Sequence, residues 1–165
     1  MSAQLVGRSE APERDLYLAH LSEVDEWPDA LQEPKPHFVA FLAMDASSVE
    51  SSRIAAFADR LISQGMIYLC AWGPDCERVH DIFDEAIGRN TTTDEAAFMT
   101  TWHDDEELVD ALWFALFSTL VGDDIDPSAL VAVVVEQLEW SAQIRGALTD
   151  SNRFNTEVLE HEAER

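Results

Sequence analysis

Residues 66–88 leave this chain few folds to choose from. Residues 66–71 are apolar almost throughout, which suits a strand covered on both faces. Gly73 and Pro74 break the run, and Asp75 stands where a side-chain oxygen can cap the free N–H groups of a following helix. That helix carries Val79, Ile82, Phe83, Ala86 and Ile87 on one face, and Gly88 is expected to end it. A strand buried on both sides and followed at once by an amphipathic helix is the repeating unit of parallel α/β sheets.

The pattern recurs along the chain. Residues 38–43 read as a first core strand, and Ser47 or Ser48 is placed to cap a helix over residues 49–64 that Gly65 closes. Residues 66–71 form the second strand and residues 97–102 the third. Asp105 opens a helix running to Leu120, with Gly122 after it; residues 130–135, rich in valine, form the fourth strand. A last helix covers residues 138–148. The expectation is a single-domain, three-layer α/β sandwich of flavodoxin or Rossmann type, with a mostly parallel sheet of about four strands in the order 2-1-3-4. Residues 1–36 would be an N-terminal arm and a connector stiffened by Pro28, Pro34 and Pro36, residues 37–148 the α/β domain, and residues 149–165 a polar tail. Within the arm, residues 1–14 read as loose and residues 15–27 as a short helix; the tail adds one more turn around residues 154–159.

Charge narrows the choice of function. The formal net charge is −23, and Lys35 is the only lysine. Such a surface repels nucleic acid and anionic membranes, whose recognition rests on basic side chains. No run approaches the roughly 18 apolar residues of a membrane span, and the acidic, polar start does not read as a signal peptide. A cytoplasmic protein with reduced Cys70 and Cys76 follows. The acidity fits a solvated surface, a salt-adapted host or a face that docks a basic partner.

The run Cys70-Ala71-Trp72-Gly73-Pro74-Asp75-Cys76-Glu77-Arg78-Val79-His80-Asp81, together with Trp102-His103-Asp104-Asp105-Glu106, resembles a family of small bacterial proteins catalogued as a domain of unknown function. The likeness spans residues 38–135. It implies an α/β domain and no particular activity.

Ligands of such folds bind at the carboxyl ends of the strands. Asp45, Ser47 and Ser48 follow the first strand, Asp75 the second, His103, Asp104 and Asp105 the third, and Glu136 the fourth. Carboxylates and a histidine on one edge suit a divalent ion, so Asp45, His80, His103 and Asp104 are the residues on which an enzyme or a metal-dependent ligand site would rest. Acids at helix starts equally serve as caps. Cys76 and His80, four apart on one helix, could hold zinc with Cys70 and His103, yet Cys76 falls on the core face, where a thiol behaves as a small hydrophobe. No glycine-rich phosphate loop or strained serine elbow occurs, and no lysine follows the last strand as a phosphoacceptor receiver domain would need, so no nucleotide or other cofactor is expected. Trp72 and Trp102 end two strands and could wall a pocket or close the core. Trp113, Phe114 and Phe117 point away from the core stripe of their helix, toward a second cover or a partner or homo-oligomer interface. The leading expectation is a small, acidic, non-enzymatic protein of immunity or accessory type that works by binding a protein partner.

Overall fold

The computed structural model describes residues 3–90, 98–119 and 125–164. A six-stranded sheet carries the fold, in the order β1-β2-β6-β3-β4-β5. The strands are β1 (Gln4–Glu10), β2 (Glu13–Leu21), β3 (Phe38–Ala43), β4 (Met66–Trp72), β5 (Met99–His103) and β6 (Ala129–Val135). Only the β1–β2 hairpin is antiparallel; every other pair is parallel. The helices are α1 (Ser51–Ser63), α2 (Cys76–Asn90), α3 (Leu108–Phe117), α4 (Leu138–Thr149) and α5 (Ser151–Ala163).

Two apolar layers enclose the sheet. On one face Ile54, Phe57 and Leu61 of α1 and Val79 and Phe83 of α2 pack under Phe38, Ala40 and Leu42. On the other, Leu112 and Leu116 of α3, Ile144 and Leu148 of α4 and Phe154 of α5 pack over Val39, Phe41 and Val134. β3 and β6 are buried along their whole length because both faces are covered, which is why they are apolar at every position.

The α/β class holds, while the strand count and order need correction. The expected four strands are β3, β4, β5 and β6, and they lie in the order β6-β3-β4-β5 rather than β4-β3-β5-β6. Two crossovers with helices on one face carry the chain steadily outward from β3 to β4 to β5. The third, through α3 on the opposite face, returns past β3 and inserts β6 between β3 and β2. The two further strands come from the segment expected as a loose arm and a short helix. β2 opens on three charged residues, Glu13, Arg14 and Asp15, before its apolar run, and only Val24–Glu26 makes a 3₁₀ turn. The tail is likewise a full helix, α5, capped by the Asp150 carboxylate on the Arg153 N–H.

Local signals erred in smaller ways. Ser47 and Ser48 do not cap α1: the Ser47 hydroxyl bonds Asp45 at 2.6 Å, and the helix starts after Glu50. α2 runs past Gly88 to Asn90, and α3 is shorter than expected, from Leu108 to Phe117. Ala97, Leu120 and Gly122 lie outside the described residues.

Arg14 closes the C-terminal end of α3. Fully buried on β2, its guanidinium donates to the carbonyls of Leu116 (2.9 Å) and Thr119 (2.8 Å) and to the Thr119 hydroxyl (2.8 Å). A cation among carbonyls that the helix leaves unpaired satisfies both the hydrogen bonds and the dipole.

Candidate functional site

The loops at the carboxyl ends of the strands diverge at one place. The loop after β3 turns to α1 on one face, and the loop after β6 turns to α4 on the other. A crevice opens where neighbouring strands send their connections to opposite faces. Here it is a cavity of about 210 Å³, walled by Ser22, Glu23 and Val24 after β2, Asp45, Ser48, Val49 and Arg53 after β3, and Val135, Glu136 and Gln137 at the end of β6.

Each wall is held by its own contacts. The Ser47 hydroxyl and N–H, both donating to Asp45, hold its carboxyl below the usual carboxylate range. Arg78 of α2 gathers the same loop, donating to the carbonyls of Ala46 and Val49 and to the Ser51 hydroxyl, while Asp75 binds its Nε at 2.7 Å. Gly73 lets the loop after β4 close on it. At φ +114° an added Cβ would meet the Met44 carbonyl oxygen, and the two loops are zipped by Met44 N to Trp72 O (3.2 Å) and Ala46 N to Pro74 O (3.0 Å). Arg53 is already engaged by Asp25 (2.9 Å) and Glu23 (3.5 Å).

Glu136 carries the most unusual backbone of the cleft. Its φ is +69°, and the N–H of Gln137 reaches back to the carbonyl of Val135 at 2.9 Å, a γ-turn with a non-glycine residue at its centre. Such a conformation costs on the order of 1–3 kcal/mol and persists only where the surroundings over-determine it. They do so here: Glu136 N–H donates to Leu21 O at 2.7 Å, and its carbonyl accepts from His20 Nε2 at 3.0 Å. The result holds the Glu136 side chain at the cleft.

The residues singled out in the sequence are dispersed. Asp45 lines the cleft. His103 is buried; Nδ1 faces Glu106 and Nε2 the Thr101 hydroxyl, both at 2.9 Å, and the ring packs on Phe114. Asp104 is exposed beside a second, shallower hollow of about 250 Å³, shared with Trp72, Asp75 and Glu106. His80 lies on α2, against the Trp102 ring at 4.5 Å. Its Nδ1 faces Asp81 at 3.0 Å and its Nε2 faces Asp84 at 3.4 Å. These three make the only metal-capable grouping among the described residues. Each ring nitrogen faces a different carboxylate.

Cys70 and Cys76 do not join them, for they pack on opposite faces of the sheet. Burial pushes the Cys70 thiol up to about 12 and raises that of Cys76 as well. Neither is primed as a nucleophile or a thiolate ligand. Trp72 stacks edge-on against Trp140 and donates to Glu106 O at 2.8 Å. Trp113 donates to Asn155 of α5 at 2.8 Å, and Phe117 lies 6.4 Å from Phe154, so α5 covers this side of α3. Trp113, Phe114 and Phe117 remain partly buried.

Sequence reasoning passed over Glu23, Arg53 and Gln137. Glu23 lies in the segment read as a short helix and Arg53 in the helix expected over residues 49–64, and their convergence depends on β2 standing next to β6. Of the acids before α2 and α3, Asp75 binds Arg78, Glu106 faces His103, and Glu107 precedes α3 without a side-chain bond to it.

Fold and cleft together define an open α/β sheet, helical on both faces, with a small acid-lined crevice at its switch point. The chain belongs to the family described as Domain of unknown function (DUF7684), whose model matches residues 16–151. That match is wider than the resemblance seen in the motifs and takes in α4 and most of β2. No curated protein matches the chain.

Proposed function

We propose that the protein has no chemistry of its own and works by docking a basic protein partner on the carboxyl edge of its sheet. One observation carries this reading. Acids crowd every loop of that edge, with Glu23, Asp25 and Glu26 after β2, Asp45 and Glu50 after β3, residues 104–107 after β5, and Glu136 and Glu139 after β6. Of the arginines that reach these loops, Arg53 and Arg78 are neutralised from within, while Arg60 donates to the carbonyl of Val24 at 3.2 Å. At the opposite edge the signs are mixed, with Arg8 and Arg14 standing near Glu13, Asp15 and Asp126. An edge that presents mostly acids steers an oppositely charged partner into a defined orientation. The dispersal of Asp45, His80 and His103 supports the absence of a catalytic set.

The test compares two triple variants of equal charge. Immobilised protein should retain a basic protein from extracts of its own host at low salt and release it as salt rises. Changing Asp104→Asn, Asp105→Asn and Glu107→Gln together should abolish capture, while Glu160→Gln, Glu162→Gln and Glu164→Gln on α5 should spare it. Equal loss in both variants, or capture that salt does not weaken, would overturn the reading. No helix among the described residues is long and apolar enough to cross a membrane.

A further inference from the structure

We propose that the outer edge of β5 takes up an extended segment of the basic partner as a further strand of the sheet. The basic character of that segment rests on the docking reading above; the open edge stands on its own geometry. β5 ends the sheet and pairs only with β4. Among the described residues no other backbone group hydrogen-bonds residues 99–103. Alternate residues of such a strand leave an N–H and a C=O pointing outward, and an extended chain supplies the matching acceptors and donors at the same repeat.

The opposite edge is guarded against such an addition. The register of β1 breaks between Leu5 and Gly7, and the Ser151 hydroxyl donates to the Arg8 carbonyl at 3.2 Å. The end of α4 lies so close that a Cβ on Gly7 would meet the Leu148 carbonyl oxygen. Bulges and covering helices are how sheets protect an edge. β5 shows neither device. Its register with β4 runs unbroken from Met99 to His103, and the segment holds no proline, acid, lysine or arginine. Its two threonines and its tryptophan favour strand pairing.

Apolar surface overhangs this edge on both faces. Met99 is 46% exposed and Trp102 is 42% exposed. Met99 pairs with Tyr68, on the α3 side of the sheet, and Trp102 with Ala71, on the α2 side. A strand, whose side chains alternate between faces, covers both; a ligand lying on one face covers one. The edge is also held in place, since the Trp102 ring packs on His80 and the Thr100 hydroxyl donates to Asp84. Charge then names the occupant. Asp81 and Asp84 flank His80 beneath Trp102, and the exposed acids 104–107 follow β5 directly. A second copy would bring the same acids and the same net charge of −23. The fitting strand belongs to another protein and carries lysine or arginine among its apolar and β-branched residues.

Three capped peptides test the strand addition by titration against backbone amide signals at physiological salt. They are Arg-Val-Arg-Val-Thr-Val-Arg, the same peptide with glutamate for each arginine, and the arginine peptide with every backbone nitrogen methylated. The unmethylated arginine peptide should move residues 99–103 as one saturating set and slow hydrogen exchange at alternate amides there. The methylated peptide keeps its charges and side chains but has no N–H to donate, and it should not bind; nor should the glutamate peptide. Met99→Lys should leave the melting temperature unchanged and weaken the arginine peptide by roughly three- to fivefold, because like charges then meet across the edge. Equal binding of the methylated or the glutamate peptide would overturn the proposal. So would protection of residues 99–103 that grows with protein concentration alone, the mark of a second copy. If residues 99–103 stay unmoved while capture still depends on Asp104, Asp105 and Glu107, strand addition falls and the docking reading stands. If the peptide docks on residues 99–103 and the triple variant captures its partner unchanged, the docking reading falls and the strand edge stands.

Discussion

A thiol on a strand covered from both sides has no route to ionisation. Cys70 is such a group, and burial holds its proton up to about pH 12 against an ordinary value of 9.0. Below 9.0 the thiol is protonated folded and unfolded, and its full contribution to stability is present. Between 9.0 and about 12 only the unfolded chain releases the proton, so stability falls with rising pH, by up to about 1.4 kcal/mol per unit. Cys70→Ala should flatten that alkaline limb, read as urea midpoints from pH 8 upward; limbs that stay parallel would show that the thiol titrates freely. The burial of Cys70 was legible, because its neighbours Leu69 and Ala71 are apolar too. Glu136 was legible only as a residue after a strand. Its γ-turn depends on Leu21 and His20 of β2, which nothing local to residues 130–137 announces.

At the scale of elements, the reading succeeded where burial on both faces wrote an apolar run, as in β3, β4 and β6. It failed where an element meets the core along one narrow line. β1 keeps only Ser9 fully buried, so its sequence looks like solvent. α5 buries Ser151, Phe154 and Val158, one residue per turn, among polar neighbours. That single line is nonetheless structural, because Phe154 seals Phe117 and the far side of α3. Phe154→Ala should cost about 3 kcal/mol in chemical denaturation. A loss below about 1 kcal/mol would mean that α5 adds little to the fold.

For the molecule as a whole, charge sets the conditions of stability. A net charge of −23 acts against compaction, and salt screens it beyond about 10 Å at 0.1 M. The melting temperature should therefore rise from very low to moderate salt and then level off. A flat or falling trend would refute self-repulsion as a stability term, and a steep climb continuing to molar salt would mark adaptation to a saline interior. The strand order is also a property of the whole. Each β-α-β unit could be read locally, but the side of β3 on which β6 would land was decided by α3 lying on the opposite face from α1 and α2.

The position of β6 also sets the order in which the chain can finish folding. The β1–β2 hairpin leaves the ribosome before the other strands, yet the inner edge of β2 has no partner until Ala129–Val135 has been made, when Asp15 meets Ala129 and Leu21 meets Val135. Arg14 also waits, since the carbonyls it binds belong to α3 and its exit loop. The nascent hairpin must therefore carry an open strand edge until that strand is made, and Arg8, Glu10, Glu13 and Asp15 supply the charges that keep such an edge from pairing with a neighbouring chain.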